Sequence, residues 1–204
     1  VCIPMSEPEL GYIVANNIQS FGKIPFIGVA EKAISIGLDK LTTMSFLGSL
    51  NIPIPWTIDA QQYKSLRKFP CIYKPRRSAG SKGVAICQNA AEAAWHVSKN
   101  DNAIFQELLL PAESEVTCAV YRTSDGRISV LPMLRQLVGG LTSWAQVIDH
   151  SEIIKQCQMI ALAVNLVGPI NIQLRLTAHG PRIFEINPRL SSTVYLRHLL
   201  GFCD

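Results

Sequence analysis

The chain has 204 residues, 48% of them hydrophobic, and a formal charge of +4 at pH 7, enough apolar content for one sizeable core or two small ones. The basic residues are scattered, which excludes a stripe for tracking a nucleic-acid backbone and leaves room for a local anion. No apolar run approaches the roughly 18 residues of a membrane span, and no basic-then-apolar leader precedes the first strand, so a soluble cytoplasmic protein is expected.

Val1–Pro4 reads as a short strand, and Ser6-Glu7-Pro8-Glu9 as a capping box opening a helix through about Phe21, with Pro8 in its first turn. Lys23–Ala30 is again strand-like or extended, and Glu31–Ile36 is a short helix ended by Gly37. The next helix starts at Asp39-Lys40, runs to about Leu50 and stops before Pro53 and Pro55. Lys40 conflicts with the helix dipole, since a cation there faces its positive end. An anion nearby would remove the conflict.

A short strand near Trp56–Ile58 leads into a helix over Asp59–Arg67, and the strand Phe69–Pro75 delivers Lys74 out of an apolar run. The loop Arg76-Arg77-Ser78-Ala79-Gly80-Ser81-Lys82-Gly83 follows, then the strand Val84–Gln88. Small residues between two strands can turn their amide N–H groups onto a phosphate, because nothing bulky blocks close approach of the backbone. The loop lacks GxxxxGK[ST] spacing and no GxGxxG occurs, so neither a P-loop NTPase nor a classical dinucleotide fold is supported. Asn89 caps a helix to Lys99 with Ala90, Ala93, Ala94 and Val97 on one face.

Ala103–Leu110 returns as a strand whose exit is bracketed by Glu107 and Glu115. One carboxylate can accept both protons of a vicinal diol, and an extended backbone can take an adenine edge. Ala119–Arg122 and Ile128–Leu134 form a hairpin around Ser124-Asp125-Gly126-Arg127. The second arm continues towards Arg135, and the Gly139-Gly140-Leu141-Thr142 loop precedes Trp144–Ile148. His150 reads as a helix-start residue, and Ser151–Leu166 as a helix with apolar Ile154, Ile160, Ala161 and Val164 and with Met159 in the core. Six cysteines (Cys2, Cys71, Cys87, Cys118, Cys157, Cys203) lie far apart with no CxxC pair, and read as buried reduced thiols.

The stretch from Gly168 to Arg189, GPINIQLRLTAHGPRIFEINPR, alternates apolar and polar residues on both sides of Ala178-His179-Gly180-Pro181, the pattern of a hairpin with one wet face. With the loop centred near His179, Gln173 falls opposite Glu185 and Asn171 opposite Asn187, while Ile170, Ile172, Leu174, Phe184 and Ile186 point to the core. Asn is a poor strand former and needs another reason to be there. A carboxylate, two amides and Arg189 suit a magnesium ion that arrives bound to phosphate, with Arg189 meeting the same phosphate. Ser191–Leu200 then packs as the closing helix.

Glu185-Ile186-Asn187-Pro188-Arg189, preceded twelve residues earlier by Gln173, resembles the metal-binding end of the ATP-grasp ligases, above all their carbamoyl-phosphate-synthase-like and carboxylate-amine ligase members. The resemblance implies an α+β ATP-grasp fold at 39–204, two α+β subdomains gripping ATP, with the lid subdomain at about 69–110. Residues 1–38 would then be the tail of an α/β pre-ATP-grasp domain; both ends look cut, and a truncated C-terminus is expected. It places Lys40, Lys74 and the loop residues Gly80, Ser81, Lys82 and Gly83 on the phosphates of ATP, Glu107 with the hinge residues Leu108 and Leu109 beside adenine, and Glu115 on the ribose. Gln173, Glu185 and Asn187 would hold Mg2+ (or Mn2+), Arg189 and Lys74 would act on the transferring phosphoryl group, and Arg135 would face the phosphates or the acyl acceptor.

The implied reaction is ATP-dependent activation of a small-molecule carboxylate for attack by an amine. No nucleic-acid or membrane partner is implied, and a homodimer is admitted. The alternatives are a carbamoyl-phosphate-synthase-like enzyme sharing the phosphoryl step, or a non-catalytic nucleotide-binding or scaffolding module that kept the fold. Gln173 stands where many members carry a second carboxylate, which lowers the charge of the metal site.

Overall fold

The computed structural model describes residues 2–25 and 29–202. Helix α1 (Glu7–Ala15) opens on the expected capping box: Ser6 Oγ accepts from Glu9 N, and the Glu9 carboxylate accepts from Ser6 N. It stops short of the expected Phe21 because Asn16 caps it and Asn17 takes φ +50°, a left-handed conformation that Asn tolerates. Ser20–Phe21 (β1) and Ile24–Pro25 (β2) then pair as a small antiparallel ribbon. Ile3 and Pro4 form no strand. Val1 and residues 26–28, which belong to the extended segments expected around Pro4 and Lys23–Ala30, lie outside the described residues.

Helices α2 (Glu31–Gly37) and α3 (Lys40–Ser49) follow. A Cβ on Gly37 would lie 2.6 Å from Pro188 Cδ and 2.9 Å from Ile186 O, so only glycine lets α2 close against the segment that carries Asn187 and Arg189. Strands β3 (Thr57–Asp59), β4 (Cys71–Pro75) and β5 (Ala85–Cys87), helix α4 (Ala90–Lys99) and strand β6 (Ala103–Glu107) come next, with a 3-10 helix at Ala60–Ser65. These four strands form one antiparallel sheet, ordered β3-β6-β4-β5.

The second sheet is built from β7 (Glu115–Arg122), β8 (Ile128–Val138), β9 (Leu141–Val147), β10 (Gly168–Thr177) and β11 (Gly180–Asn187), with α5 (Ser151–Ala163) before β10 and α6 (Val194–Leu199) after β11. Its order is β11-β10-β7-β8-β9, antiparallel throughout. The larger core lies between this sheet and α2, α3 and α5, where Leu47, Val116, Cys118, Ile153, Ile160, Leu166, Ile172, Leu174 and Ile183 are fully buried. A smaller one, with Cys71, Tyr73, Cys87, Ala93 and Phe105, sits beneath α4 on the other sheet. Each such Leu, Ile or Phe contributes about 1.5–3 kcal/mol relative to an exposed side chain.

Two further helix expectations need correction. Met159 is 39% exposed rather than core, because the buried face of α5 runs Ile153, Cys157, Ile160, Ala161 and Val164, and Met159 lies one residue off that period. The last helix spans only Val194–Leu199. His150 is, as expected, a helix-start residue: its Nδ1 accepts from Ile153 N at 3.4 Å.

The β10–β11 hairpin has the register read from the sequence, Gln173 opposite Glu185 and Asn171 opposite Asn187. A bulge follows, so that Leu174 pairs with Ile183 and Phe184 is the extra residue. Phe184 therefore faces the polar side, contrary to the alternation, and Ile183 takes its place in the core. Cys71 and Cys87 face each other across β4 and β5, and Cys118 lies beside Cys157. All four are buried free thiols. Burial and the neighbouring Cys87 push the Cys71 thiol up to about 12, which makes it a poor nucleophile. Cys203 lies outside the described residues. Among the described residues no helix is long and apolar enough to cross a membrane.

Candidate functional site

Residues from both sheets, from the loop after β4 and from the first turn of α1 line a cavity of about 570 Å³, within the range of small-molecule sites. Among its lining residues is Lys40, the first residue of α3 and 7% exposed. Its Nζ donates to Ser78 O at 2.8 Å and lies 3.6 Å from Glu185 Oε1. That carboxylate is an anion of the kind the misplaced helix-start cation calls for. The base of the β4–β5 loop is fixed to the same helix start, because Arg76 Nη2 donates to Asp39 Oδ2 at 2.8 Å while Asp39 caps α3 by accepting from Leu41 N and Thr42 N. Burial alone would raise the Asp39 carboxyl; the Arg76 hydrogen bonds and the two cap amides outweigh it and hold the group below its ordinary value.

Lys74 projects from β4 into the same cavity. Its Nζ donates to Gln106 Oε1 at 2.8 Å and lies 4.8 Å from the centre of the Phe184 ring. Burial lowers its pKa to about 8, Glu185 pulls it back up and Lys40 pushes it down. The bulge that turns Phe184 inward thus supplies the wall against which Lys74 is desolvated.

Glu115, on the same cavity, is clamped between two arginines. Arg135 Nη2 donates to Oε1 at 2.7 Å and Arg175 Nη2 donates to Oε2 at 2.6 Å. Arg175 Nη1 also donates to Leu109 O at 2.9 Å, which ties the β6–β7 connection to β10. All three charged side chains are 14% exposed or less. Removing the carboxylate's charge leaves two neighbouring cations without their shared counter-charge. Glu115→Gln is therefore expected to lower folding stability by about 2 kcal/mol, read by urea denaturation at pH 7.

The remaining candidates divide. Gly80 and Ser81 line the cavity with φ of +62° and +59°, and a Cβ on Gly140 in the β8–β9 turn would come within 3.5 Å of Gly80 O. Lys82 and Gly83 do not line it. At Gly83 the loop turns back onto β4, where a Cβ would sit 2.9 Å from Pro75 Cγ. Leu109 lines the cavity and Leu108 does not, since adjacent residues of an extended segment face opposite ways. The Glu107 carboxylate is turned to β3, accepting from Trp56 N at 3.2 Å and pairing with Arg182 at 3.7 Å. Gln173, Glu185 and Asn187 share one wall. Arg189 is held by Glu7 of α1, Nη2 to Oε1 at 2.5 Å.

A sequence profile described as the ATP-grasp domain matches residues 38–193. The chain belongs to the ATP-grasp family. It is 27% identical over 139 residues to the formate-dependent phosphoribosylglycinamide formyltransferase of Bacillus velezensis, covering 61% of this chain and 36% of that protein. It is 24% identical over 196 residues to the carbamoyl phosphate synthase large chain of Clostridium botulinum, covering 84% of this chain and 18% of that one. The chain thus spans about a third or less of these curated relatives. Among solved structures, N5-carboxyaminoimidazole synthetase from Staphylococcus aureus complexed with ADP superposes with a TM-score of 0.75 at 16% identity, over 95% of this chain and 54% of that one.

Within this ATP-grasp fold the sequence-derived candidates Lys40, Lys74, Gly80, Ser81, Glu107, Leu109, Glu115, Arg135, Gln173, Glu185, Asn187 and Arg189 all reach one cavity. Sequence reasoning missed Arg175 and Glu7. Arg175 was legible in principle, two residues beyond Gln173 on the same face of β10; Glu7 carries no local signal beyond its place in a capping box. Among the described residues no group of three or more His, Cys, Asp or Glu side chains could cage a metal. Gln173, Glu185 and Asn187 supply one carboxylate and two amides, a hard-oxygen set suited to magnesium that brings phosphate and water ligands with it.

Proposed function

We propose that this chain is the nucleotide-binding part of an ATP-dependent ligase that activates a carboxylate as an acyl phosphate for attack by an amine. The observation that carries it is the convergence of Lys40, Lys74, Gly80 and Ser81 with Gln173, Glu185 and Asn187 on one cavity, where Lys40 and Glu185 already pair. In this reading residues 39–204 are the ATP-grasp unit, 69–110 its lid, and 1–38 the tail of a preceding domain. The unbridged pairs Cys71/Cys87 and Cys118/Cys157 suit a reducing cytoplasm.

Lys40, Lys74 and the loop amides neutralise the triphosphate, Leu109 lies against the base, and Glu115, fixed by its arginines, accepts from the ribose hydroxyls. Gln173, Glu185 and Asn187 would hold magnesium, which would supply positive charge to offset that of the phosphates. The substrate carboxylate attacks the γ-phosphorus and the bond to ADP breaks. The amine then attacks the acyl carbon, phosphate leaves, and the amine gives up a proton. Arg189 exchanges its contact with Glu7 for the transferring phosphoryl group. No side-chain nucleophile is needed, because catalysis is positioning and electrostatics.

The test is ADP release by the protein supplied with ATP, magnesium and panels of carboxylates and amines. ADP formed in proportion to product, and only with both co-substrates, is expected. ATP binding without turnover across the panels favours the non-catalytic module instead.

A further inference from the structure

We propose that Asn171 is a positioning residue that sets the polarity of the Gln173 amide, so that Gln173 presents its oxygen, and not its NH2, to the metal of Mg-ATP. The inference rests on the functional reading above. A glutamine has only one coordinating end; a carboxylate at the same place would have two. Something must therefore hold the amide the right way round.

Asn171 and Gln173 share one face of β10, and β7 beside them supplies Thr117 and Cys118. Asn171 Nδ2 donates to Thr117 Oγ1 at 2.7 Å and to Cys118 O at 3.2 Å. The main-chain carbonyl can only accept, so it fixes the nitrogen of Asn171 on that side and leaves Oδ1 facing Gln173. Gln173 Nε2 donates to that oxygen at 3.4 Å. A reversed Gln173 would set two acceptor oxygens against each other and aim an N–H at a cation. Asn171 is 2% and Thr117 0% exposed, which leaves bulk water little access to satisfy either group instead. The result is a relay from a backbone carbonyl, through one amide, to a second amide on the cavity wall. Outer partners that orient metal ligands commonly matter nearly as much as the ligands themselves.

The experiment measures Mn2+ affinity by electron paramagnetic resonance in the presence of the β,γ-imido analogue of ATP, alongside binding of the analogue without metal. Asn171→Ala is expected to weaken Mn2+ about tenfold and to leave metal-free analogue binding unchanged. In a Gln173→Glu background, where no polarity needs setting, the same substitution is expected to cost nothing. Asn171→Thr, which suits a strand, serves if the alanine variant does not fold. Equal losses in both backgrounds, or no loss in either, overturn the proposal. Absence of Mn2+ binding by the unaltered protein with the analogue removes the functional reading itself, and this proposal with it.

Discussion

Glu185→Gln is expected to lower turnover on the order of 10²–10³-fold while leaving the fold in place. The substitution keeps the shape and the strand position opposite Gln173, so the β10–β11 ladder has no reason to change. What disappears is the single full negative charge of the proposed metal set. Two further losses follow from the geometry. Lys40 Nζ, 3.6 Å from Glu185, loses its counter-charge and keeps Ser78 as a partner. Lys74 loses the neighbour that most strongly supports its charged form, so its pKa falls below about 8 and less of it is cationic at neutral pH. Metal and phosphate binding are therefore weakened together, and extra magnesium restores only part of the rate. The check is steady-state ADP release across a magnesium series, with urea denaturation to show that stability has moved by no more than about 1 kcal/mol. Wild-type turnover in a folded Glu185→Gln protein would exclude the proposed metal site.

The parts of the site that could be read from the sequence are those set by local rules. Alternation with period two and a turn signal were enough to place Gln173 against Glu185 and Asn171 against Asn187. The same rule failed one residue later, at Phe184, because counting alternate positions cannot see a bulge. Lys40 was legible as an electrostatic anomaly at a helix start, and the structure answers it with Glu185, far away in the chain. The clamp on Glu115 was not legible: Arg135 and Arg175 come from two other strands, and nothing around Glu115 in the sequence encodes their arrival. The Glu7–Arg189 pair is similarly non-local, joining the first helix to the end of the last strand. Local periodicity thus specified which face Gln173, Glu185 and Asn187 occupy, while sheet order decided which charges meet across it.

Lys74 is expected to give ATP affinity a pH dependence whose direction follows from its burial. Its pKa is lowered from 10.5 to about 8, first by desolvation, so the side chain is cationic below about pH 8 and neutral above it. Wild-type affinity for ATP should therefore fall between pH 7 and pH 9, by up to about tenfold if the contact needs the charge. Binding near pH 8 should also take up a proton, seen as a dependence of calorimetric heat on the buffer's ionisation enthalpy. Lys74→Met is expected to weaken ATP about 100-fold at pH 7, the loss of a charge-assisted contact, with a smaller difference at pH 9. Stability should run the other way. Because the folded pKa lies below the unfolded one, the cation is penalised in the fold, so the destabilisation is complete below about pH 8 and fades as the pH rises towards 10.5. The unliganded methionine variant should melt above wild type at pH 7, and that gap should close at alkaline pH. Opposite signs in the two measurements distinguish a lysine held in readiness for a triphosphate from one that merely packs against Phe184 and Gln106: a packing lysine would lower stability when removed and leave ATP affinity flat between pH 7 and pH 9.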